Sequence, residues 1–213
     1  MVRPVDELRA ELRAAPLDVA TVAADPLEQF RAWFAEAQAA GVDQPEAMTL
    51  ATAGADRRPS ARVVLLRGLD ARGFAFYTHL ESEKGVDLRE NPRAALVFHW
   101  HEVTRQVRVT GPVARVPDEE AAAYFATRPL GSRIGAWSSP QSQVLGDRAE
   151  LERLVGDTEA RFAGVDPPLP PFWGGFVVGL ETLELWQSRE SRLHDRVRYR
   201  RAPDGWIVER LAP

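Results

Sequence analysis

The sequence predicts a mainly β fold with peripheral helices, of the α+β class, in which antiparallel strands form a barrel. Short runs of alternating hydrophobic and polar residues recur along the chain, separated by turn-rich segments such as Gly54-Ala55-Asp56 and Asp70-Ala71-Arg72-Gly73. Helical segments fall between hairpins, so the regular strand–helix alternation of a parallel sheet is absent. The length of 213 residues fits one domain.

The helices are predicted from their caps and their spacing. Asp25 is an N-cap, Pro26 suits the first helical position, and apolar residues then recur at helical spacing until Gly41 ends the helix. Further helices are predicted over Ser82–Glu90, Glu119–Thr127 and Asp147–Phe162. Asp118 is expected to cap the second of these and Pro129 to stop it.

The strands follow from runs with a period of two. They are predicted over Ala47–Ala53, Ser60–Arg67, Phe74–Thr78, Ala94–Trp100, Gln106–Val116, Phe176–Leu180, Glu184–Gln187, Arg196–Arg201 and Trp206–Arg210. A Pro203-Asp204-Gly205 turn joins the last two. Residues 1–24 are predicted to form a flexible N-terminal arm, and residues 25–213 a single domain.

Composition excludes several classes of function. The formal net charge of −4 gives no positive field for nucleic acid or an anionic membrane, and no apolar run approaches the roughly 18 residues of a membrane span. The acidic start of the chain does not resemble a signal peptide, and the absence of cysteine removes disulfide and thiolate chemistry. His99 and His101 have no third ligand nearby, so no metal site is predicted. A cytoplasmic protein is expected.

A basic run near the C-terminus, Arg192-Leu193-His194-Asp195-Arg196, is the most informative stretch. If it is extended, Arg192, His194 and Arg196 share one face of a strand and suit an anionic ligand. His194 between two guanidinium groups is expected to stay neutral, because like charges oppose its protonation. The alternative is a solvated edge strand with Arg–Glu pairs.

Two further groups of side chains suit a phosphate. Tyr124 and Arg128 lie one helical turn apart and Ser132 follows Pro129, although a helix C-terminus repels anions and the alternative is a capped helix with an exposed arginine. All but one of the 27 basic residues are arginines, and the exception is Lys84. This lysine, the strand that Arg62 and Arg67 bracket, and Tyr77-Thr78 form the second candidate group for a bound phosphate.

Together these segments resemble the pyridoxamine 5′-phosphate oxidase family, nearly end to end. The resemblance rests on Arg62–Leu66, Phe76-Tyr77-Thr78, Arg105-Gln106-Val107, Arg128-Pro129 with Ile134-Gly135-Ala136-Trp137, Gln141-Ser142, Pro171-Phe172-Trp173-Gly174-Gly175-Phe176, and Trp186 with Arg192–Arg196. It implies an FMN-binding split β-barrel that forms a homodimer, with two FMN molecules at the subunit interface. It also implies an oxidase that converts pyridoxamine or pyridoxine 5′-phosphate to pyridoxal 5′-phosphate, with oxygen as the acceptor and hydrogen peroxide as a product.

The resemblance also implies roles for individual residues. FMN is expected to contact Arg62, Val63, Val64, Leu65, Leu66, Tyr77, Thr78, Lys84, Gln106, Gln141, Ser142, Trp186 and Arg196. The substrate is expected to contact Arg67, Tyr124, Arg128, Ser132, Arg192 and His194. Of these, Arg192 and His194 are the expected catalytic residues: Arg192 holds the substrate plane, and His194 orients or deprotonates the reacting group.

Three positions depart from the family pattern. Arg67 stands where lysine is usual, Glu83 precedes Lys84 where an Arg-Lys pair is usual, and Leu12 replaces a frequent tyrosine of the N-terminal arm. Two alternatives therefore stay open: a phenazine-pathway-type flavin oxidase of the same fold, and a non-catalytic flavin- or pyridoxal-phosphate-binding protein.

Overall fold

The computed structural model describes residue 11 and residues 15–213, and the structural statements below concern that part of the chain. Ten strands are described: β1 (Ala47–Ala53), β2 (Pro59–Leu65), β3 (Gly68–Asp70), β4 (Gly73–His79), β5 (Arg93–Trp100), β6 (Arg105–Arg115), β7 (Trp173–Val178), β8 (Thr182–Gln187), β9 (Asp195–Ala202) and β10 (Gly205–Arg210). The helices are α1 (Pro26–Ala39), α2 (Glu83–Glu90), α3 (Asp118–Ala126), α4 (Leu130–Ser138) and α5 (Arg148–Arg161).

All strand pairs are antiparallel, and the sheet curls because β6 has three partners. Seven strands follow the order β10-β9-β8-β6-β5-β1-β2. The first half of β6 pairs with β8, while its end, Val113–Arg115, pairs with β7, which in turn pairs with β4. Beyond β2, the amide of Arg67 donates to the carbonyl of Ala75 in β4 at 2.8 Å. The result is a split barrel.

Helix α1 fills the interior of this barrel. The Phe30 ring is fully buried and lies 4.8 Å from the ring of Phe74 and 4.9 Å from that of Phe98, between centroids. Trp33 and Trp100 are buried beside them. Burying large aromatic side chains supplies much of the hydrophobic free energy of such a core. This packing leaves the outer face of the sheet and the α3–α4 side for other contacts.

Most predicted elements are confirmed within a few residues, including the end of the first helix at Gly41, where φ is +72°, and the turn before Gly205. Two elements were missed. Strand β3 has only three residues, and α4 carries two glycines, which lower helix propensity. The prediction that Asp118 caps α3 is wrong: Pro117 is the N-cap, and Asp118 pairs with Arg115 at 3.1 Å.

The run from Arg192 to Arg196 is not extended, so the condition for a shared strand face is not met. Residues Glu190–Arg192 form a 3₁₀ turn, and β9 begins only at Asp195. Ser191 and Arg192 both have left-handed backbones, with φ of 55° and 61°. Strand alternation therefore cannot place Arg192 and His194 beside Arg196.

Within the described residues, no helix is long and apolar enough to cross a bilayer. The same part of the chain contains no cluster of three or more histidine, aspartate or glutamate side chains arranged to hold a metal ion. The His99 and His101 rings lie 5.9 Å apart.

Candidate active site

A pocket of about 830 Å³ opens between the end of β2, β4, and the α3–α4 corner. This volume falls in the range of about 300–1,000 Å³ that small-molecule sites occupy. Its lining residues are Val63, Val64, Leu65, Arg67, Tyr77, Thr78, His79, Lys84, Tyr124, Thr127, Arg128, Pro129, Ser132, Gly135, Ala136, Ser139, Gln141 and Trp173. Three of them are cations and none is an acid, so the pocket favours an anion.

One end of the pocket carries the predicted phosphate-binding group, since Arg67, Tyr124, Arg128 and Ser132 all line it. Because α4 begins at Leu130, Ser132 lies in the first turn of a nine-residue helix. The positive end of that helix dipole therefore faces the group, which offsets the expected repulsion from the C-terminus of α3.

The Arg128 guanidinium is short of partners. Its Nη1 atom is buried without a hydrogen-bond partner, and the guanidinium stacks on the Trp173 ring at 4.9 Å. Burial lowers the pKa of Arg128, and the nearby Arg67 lowers it further. A half-buried guanidinium with one buried, unsatisfied nitrogen, beside a second cation, indicates a site that an anionic ligand completes.

Two aromatic rings, those of Tyr77 and Trp173, hold Tyr124 in place. The Tyr77 ring stacks on Tyr124 at 4.1 Å and on Trp173 at 5.5 Å, with interplanar angles of 15° and 5°. Gly175 lies opposite Tyr77 on β7, and a Cβ atom at Gly175 would approach the Tyr77 ring to 2.7 Å. Glycine at this position therefore makes room for the ring that supports Tyr124.

The other end of the pocket carries Lys84, at the start of α2. Its Nζ atom donates to Ser82 Oγ at 3.1 Å and to Gln141 Oε1 at 2.8 Å. Thr78 Oγ1 donates to the same Gln141 oxygen at 3.1 Å. Burial lowers the pKa of Lys84, and Arg62 lowers it further, while Glu83 opposes this shift. An ammonium has three donors, so one more is available to a ligand.

A second group of predicted site residues lies elsewhere, on the outer face of the sheet. Gln106, Trp186 and Arg196 occupy matching positions on β6, β8 and β9. Arg196 Nε donates to Glu184 at 2.9 Å and its Nη1 to the carbonyl of Ala212 at 2.8 Å. The His194 ring packs 4.7 Å from that of Trp186. These residues do not line the pocket of their own chain.

The turn before β9 presents the two predicted catalytic residues. The amide of Arg189 donates to His194 Nδ1 at 3.1 Å. A neutral His194 therefore carries its proton on Nε2. The Arg192 side chain is exposed, and no hydrogen bond or ion pair joins it to the rest of the described chain.

Arg62, Leu66 and Ser142 are not among the pocket residues either. Leu66 is buried in the core, and Ser142 is exposed with φ of 74°. Arg62 points to the α2 side, where its Nη2 lies 3.8 Å from both Glu83 and Asp87, and Glu83 also accepts from Ser60 at 2.8 Å. Leu12 falls outside the described residues.

Sequence reasoning overlooked several contributors. Trp173 belongs to the segment Pro171–Phe176, which carries part of the family resemblance. Its position in the wall of the pocket, however, depends on the pairing of β4 with β7. His79 lines the same pocket and stacks on Phe172 at 4.6 Å. Asp195 pairs with Arg189, and Glu184 pairs with Arg196. No sequence motif or spacing indicated either ion pair.

Comparisons with known proteins identify the family. A family model described as pyridoxamine 5′-phosphate oxidase matches residues 34–161, and one described as the pyridoxine 5′-phosphate oxidase C-terminal dimerisation region matches residues 173–213. A curated pyridoxine/pyridoxamine 5′-phosphate oxidase from Salinibacter ruber is 54% identical over 210 residues, which cover 97% of this chain and 98% of the relative. One of the same name from Burkholderia multivorans is also 54% identical, with the same coverage.

Solved structures show the same architecture. PhzG from Burkholderia lata 383, in complex with tetrahydrophenazine-1-carboxylic acid, has a TM-score of 0.86 and 31% identity, covering 93% of this chain and 100% of that chain. An FMN-binding protein from Nostoc punctiforme, described as related to pyridoxamine 5′-phosphate oxidase, has a TM-score of 0.71 at 17% identity. The latter similarity concerns the fold alone.

Proposed function

This chain belongs to the pyridoxamine 5′-phosphate oxidase family, and we propose that it oxidises pyridoxamine 5′-phosphate, pyridoxine 5′-phosphate or both to pyridoxal 5′-phosphate. The enzyme is an FMN-dependent oxidoreductase. Molecular oxygen as the acceptor, hydrogen peroxide as the product and a cytoplasmic location are part of the proposal. The observation that carries it is the buried, unpartnered Nη1 of Arg128 in a pocket lined by three cations.

The residues present fit FMN and a phosphorylated substrate in one pocket. Lys84, Thr78 and Gln141 would hold the cofactor at one end, beside the exposed apolar side chain of Val63. At the other end, Arg67, Tyr124, Arg128 and Ser132 would bind the substrate phosphate. When bound, FMN supplies the two-electron acceptor, and the protein contributes orientation and charge.

The position of the outer-face group supports a homodimer. Gln106, Trp186, Arg196, Arg192 and His194 would complete the pocket of a partner subunit, because they do not line their own. The match of residues 173–213 to a dimerisation region supports this arrangement. In such a dimer Arg192 would lie over the substrate ring and orient it.

The His194 hydrogen bond refines its proposed role. Since Nδ1 accepts from the Arg189 amide, the neutral ring presents an Nε2–H donor. His194 would therefore orient the reacting group by donating a hydrogen bond, and deprotonation through Nε2 is disfavoured in this tautomer.

The phenazine-type oxidase is the second candidate, favoured by the similarity to PhzG. The carboxylate of a tricyclic acid can also pair with Arg128, so the argument for a phosphorylated substrate rests on the number of donors. Arg67, Tyr124, Arg128 and Ser132 together suit the several oxygens of a phosphate. A carrier without turnover is the third candidate.

One experiment separates these candidates. Purified protein is loaded with FMN, and anaerobic flavin reduction and aerobic peroxide release are followed with pyridoxamine 5′-phosphate, pyridoxine 5′-phosphate, unphosphorylated pyridoxamine and a reduced phenazine carboxylate. We expect rapid reduction by the phosphorylated vitamers alone. Reduction only by the phenazine would overturn the substrate assignment, and FMN binding without reduction by any compound would indicate a carrier. Arg192→Ala should retain FMN but lose most turnover.

A further inference from the structure

The turn that carries Arg192 and His194 is closed by an ion pair. Arg189 Nε lies 2.6 Å from Asp195 Oδ2, so the two residues that flank the turn are joined. Both side chains are largely buried, 16% and 15% exposed. Such a pair is less weakened by solvent and salt than an exposed one.

The backbone inside the turn needs this closure. Ser191 and Arg192 are consecutive left-handed residues with side chains, a conformation that costs free energy and persists only when the surroundings enforce it. Between Gln187 and Asp195 the chain makes no ladder hydrogen bonds. Two other backbone bonds occur there: the Ser188 amide donates to Thr104, and the Leu193 amide donates to Glu190 within the turn. Asp195, in contrast, is the first residue of β9 and pairs with Gln187, so the sheet fixes its position.

The ion pair also fixes the orientation of the His194 imidazole. Arg189 is drawn to Asp195 by its side chain, and its backbone amide then meets His194 Nδ1 at 3.1 Å. Asp195 further accepts from the Leu17 amide at 3.2 Å and from Arg210 Nη1 at 3.0 Å. The same carboxylate thus touches the catalytic turn, the last strand and the segment before α1.

We infer that Asp195 is a positioning residue that holds the turn 189–194 in its left-handed form and so places Arg192 and His194 for catalysis. The inference rests on the proposed function for its catalytic consequence, but not for its structural part. Asp195 itself touches neither ligand in this scheme; it acts through Arg189 and through the backbone of the turn.

The test compares Asp195→Asn with Asp18→Asn in FMN-loaded protein. Asp18 is the matched control because it pairs with Arg210 at 2.7 Å but has no bond to Arg189. We expect amide hydrogen exchange across residues 189–194 to rise in Asp195→Asn only. The anaerobic flavin-reduction rate at saturating substrate should fall about tenfold or more, because small misplacements of catalytic groups are costly. FMN affinity should stay near that of Asp18→Asn, while the Tm should fall further than in Asp18→Asn, because Asp195→Asn breaks a largely buried ion pair.

Arg189→Gln gives an independent check. It should reproduce the faster exchange and slower reduction, and the double variant with Asp195→Asn should be no worse than either single variant. Unchanged exchange in Asp195→Asn would overturn the inference, and so would equal effects in Asp18→Asn. Faster exchange with unchanged reduction would overturn the catalytic consequence if Arg192→Ala is inactive. If Arg192→Ala itself is fully active, its activity contradicts the proposed function and not the inference about Asp195.

Discussion

Replacing Arg128 by methionine should separate ligand binding from stability. The guanidinium has one buried nitrogen without a partner, and the pocket offers a place where a phosphate oxygen completes it. Charge-assisted hydrogen bonds are worth about 1.5–3 kcal/mol. Losing one such bond corresponds to about 10–150-fold in affinity. Since the substrate phosphate stays bound throughout the reaction, the loss should raise KM and leave kcat nearly unchanged.

The same substitution should leave folding stability unchanged or raise it, although it weakens substrate binding. Methionine loses the stacking on Trp173, worth about 0.5–1 kcal/mol, but removes an unsatisfied buried nitrogen that costs about 1–3 kcal/mol. The ligand-free Tm should therefore stay constant or rise by a few degrees, at about 2–4 °C per kcal/mol for a chain of this size.

The assay is steady-state oxidation of pyridoxamine 5′-phosphate, with differential scanning fluorimetry on the same samples. Arg133→Met is the matched control, because Arg133 also has a buried unpartnered nitrogen but pairs with Asp166 at 3.2 Å and does not line the pocket. It should leave KM unchanged. An unchanged KM in Arg128→Met would refute the assignment of Arg128 to the phosphate.

Three further results are expected. Glu83→Gln should tighten FMN binding by up to about fivefold in low salt and less in high salt, because an exposed carboxylate beside Arg62 and Lys84 repels the cofactor phosphate. Fluorescence titration measures the affinity for FMN. Glu152 is a comparably exposed acid on α5, and Glu152→Gln should leave that affinity unchanged. His194→Gln, which keeps a donor, should retain turnover within about tenfold, while His194→Phe should fall about tenfold lower still; equal loss in both would favour a base. The Asp195 pKa lies below its ordinary 3.8, because hydrogen bonds from Arg189 and Arg210 outweigh burial, which alone would raise it. The contribution of Asp195 to the free energy of unfolding is thus complete above pH 3.8 and is lost as the pH falls below that value. The Leu17 amide resonance, which reports on its hydrogen bond to Asp195, should therefore titrate with a midpoint under 3.8. A midpoint near 5 would contradict the bond.

The sequence predicted the strands well because alternation in a sheet with one buried face is a local pattern. The curl of the sheet was not predictable, since it depends on β6 pairing with β5, β7 and β8. Helix α4 was not predicted, because Gly131 and Gly135 weaken the helical pattern of its apolar residues.

The proposed phosphate-binding end of the site was predictable in part. Tyr124, Arg128 and Ser132 are close in sequence, so helical spacing brings them near each other. The turn at Arg192 was not predictable, because its left-handed backbone depends on an ion pair between Arg189 and Asp195 and not on glycine. The second group of residues, around Trp186, lies on a different face of the same chain, which strand spacing alone does not reveal.

The absence of a side chain at Gly175 has an effect beyond its own strand. A methyl group there would push the Tyr77 ring, and Tyr77 would pass that displacement to Tyr124 through their shared stack. An alanine at Gly175 would thus weaken the grip on an anion that it never touches. Under the proposed function, the backbone of β7 therefore supports substrate recognition as much as the arginines do.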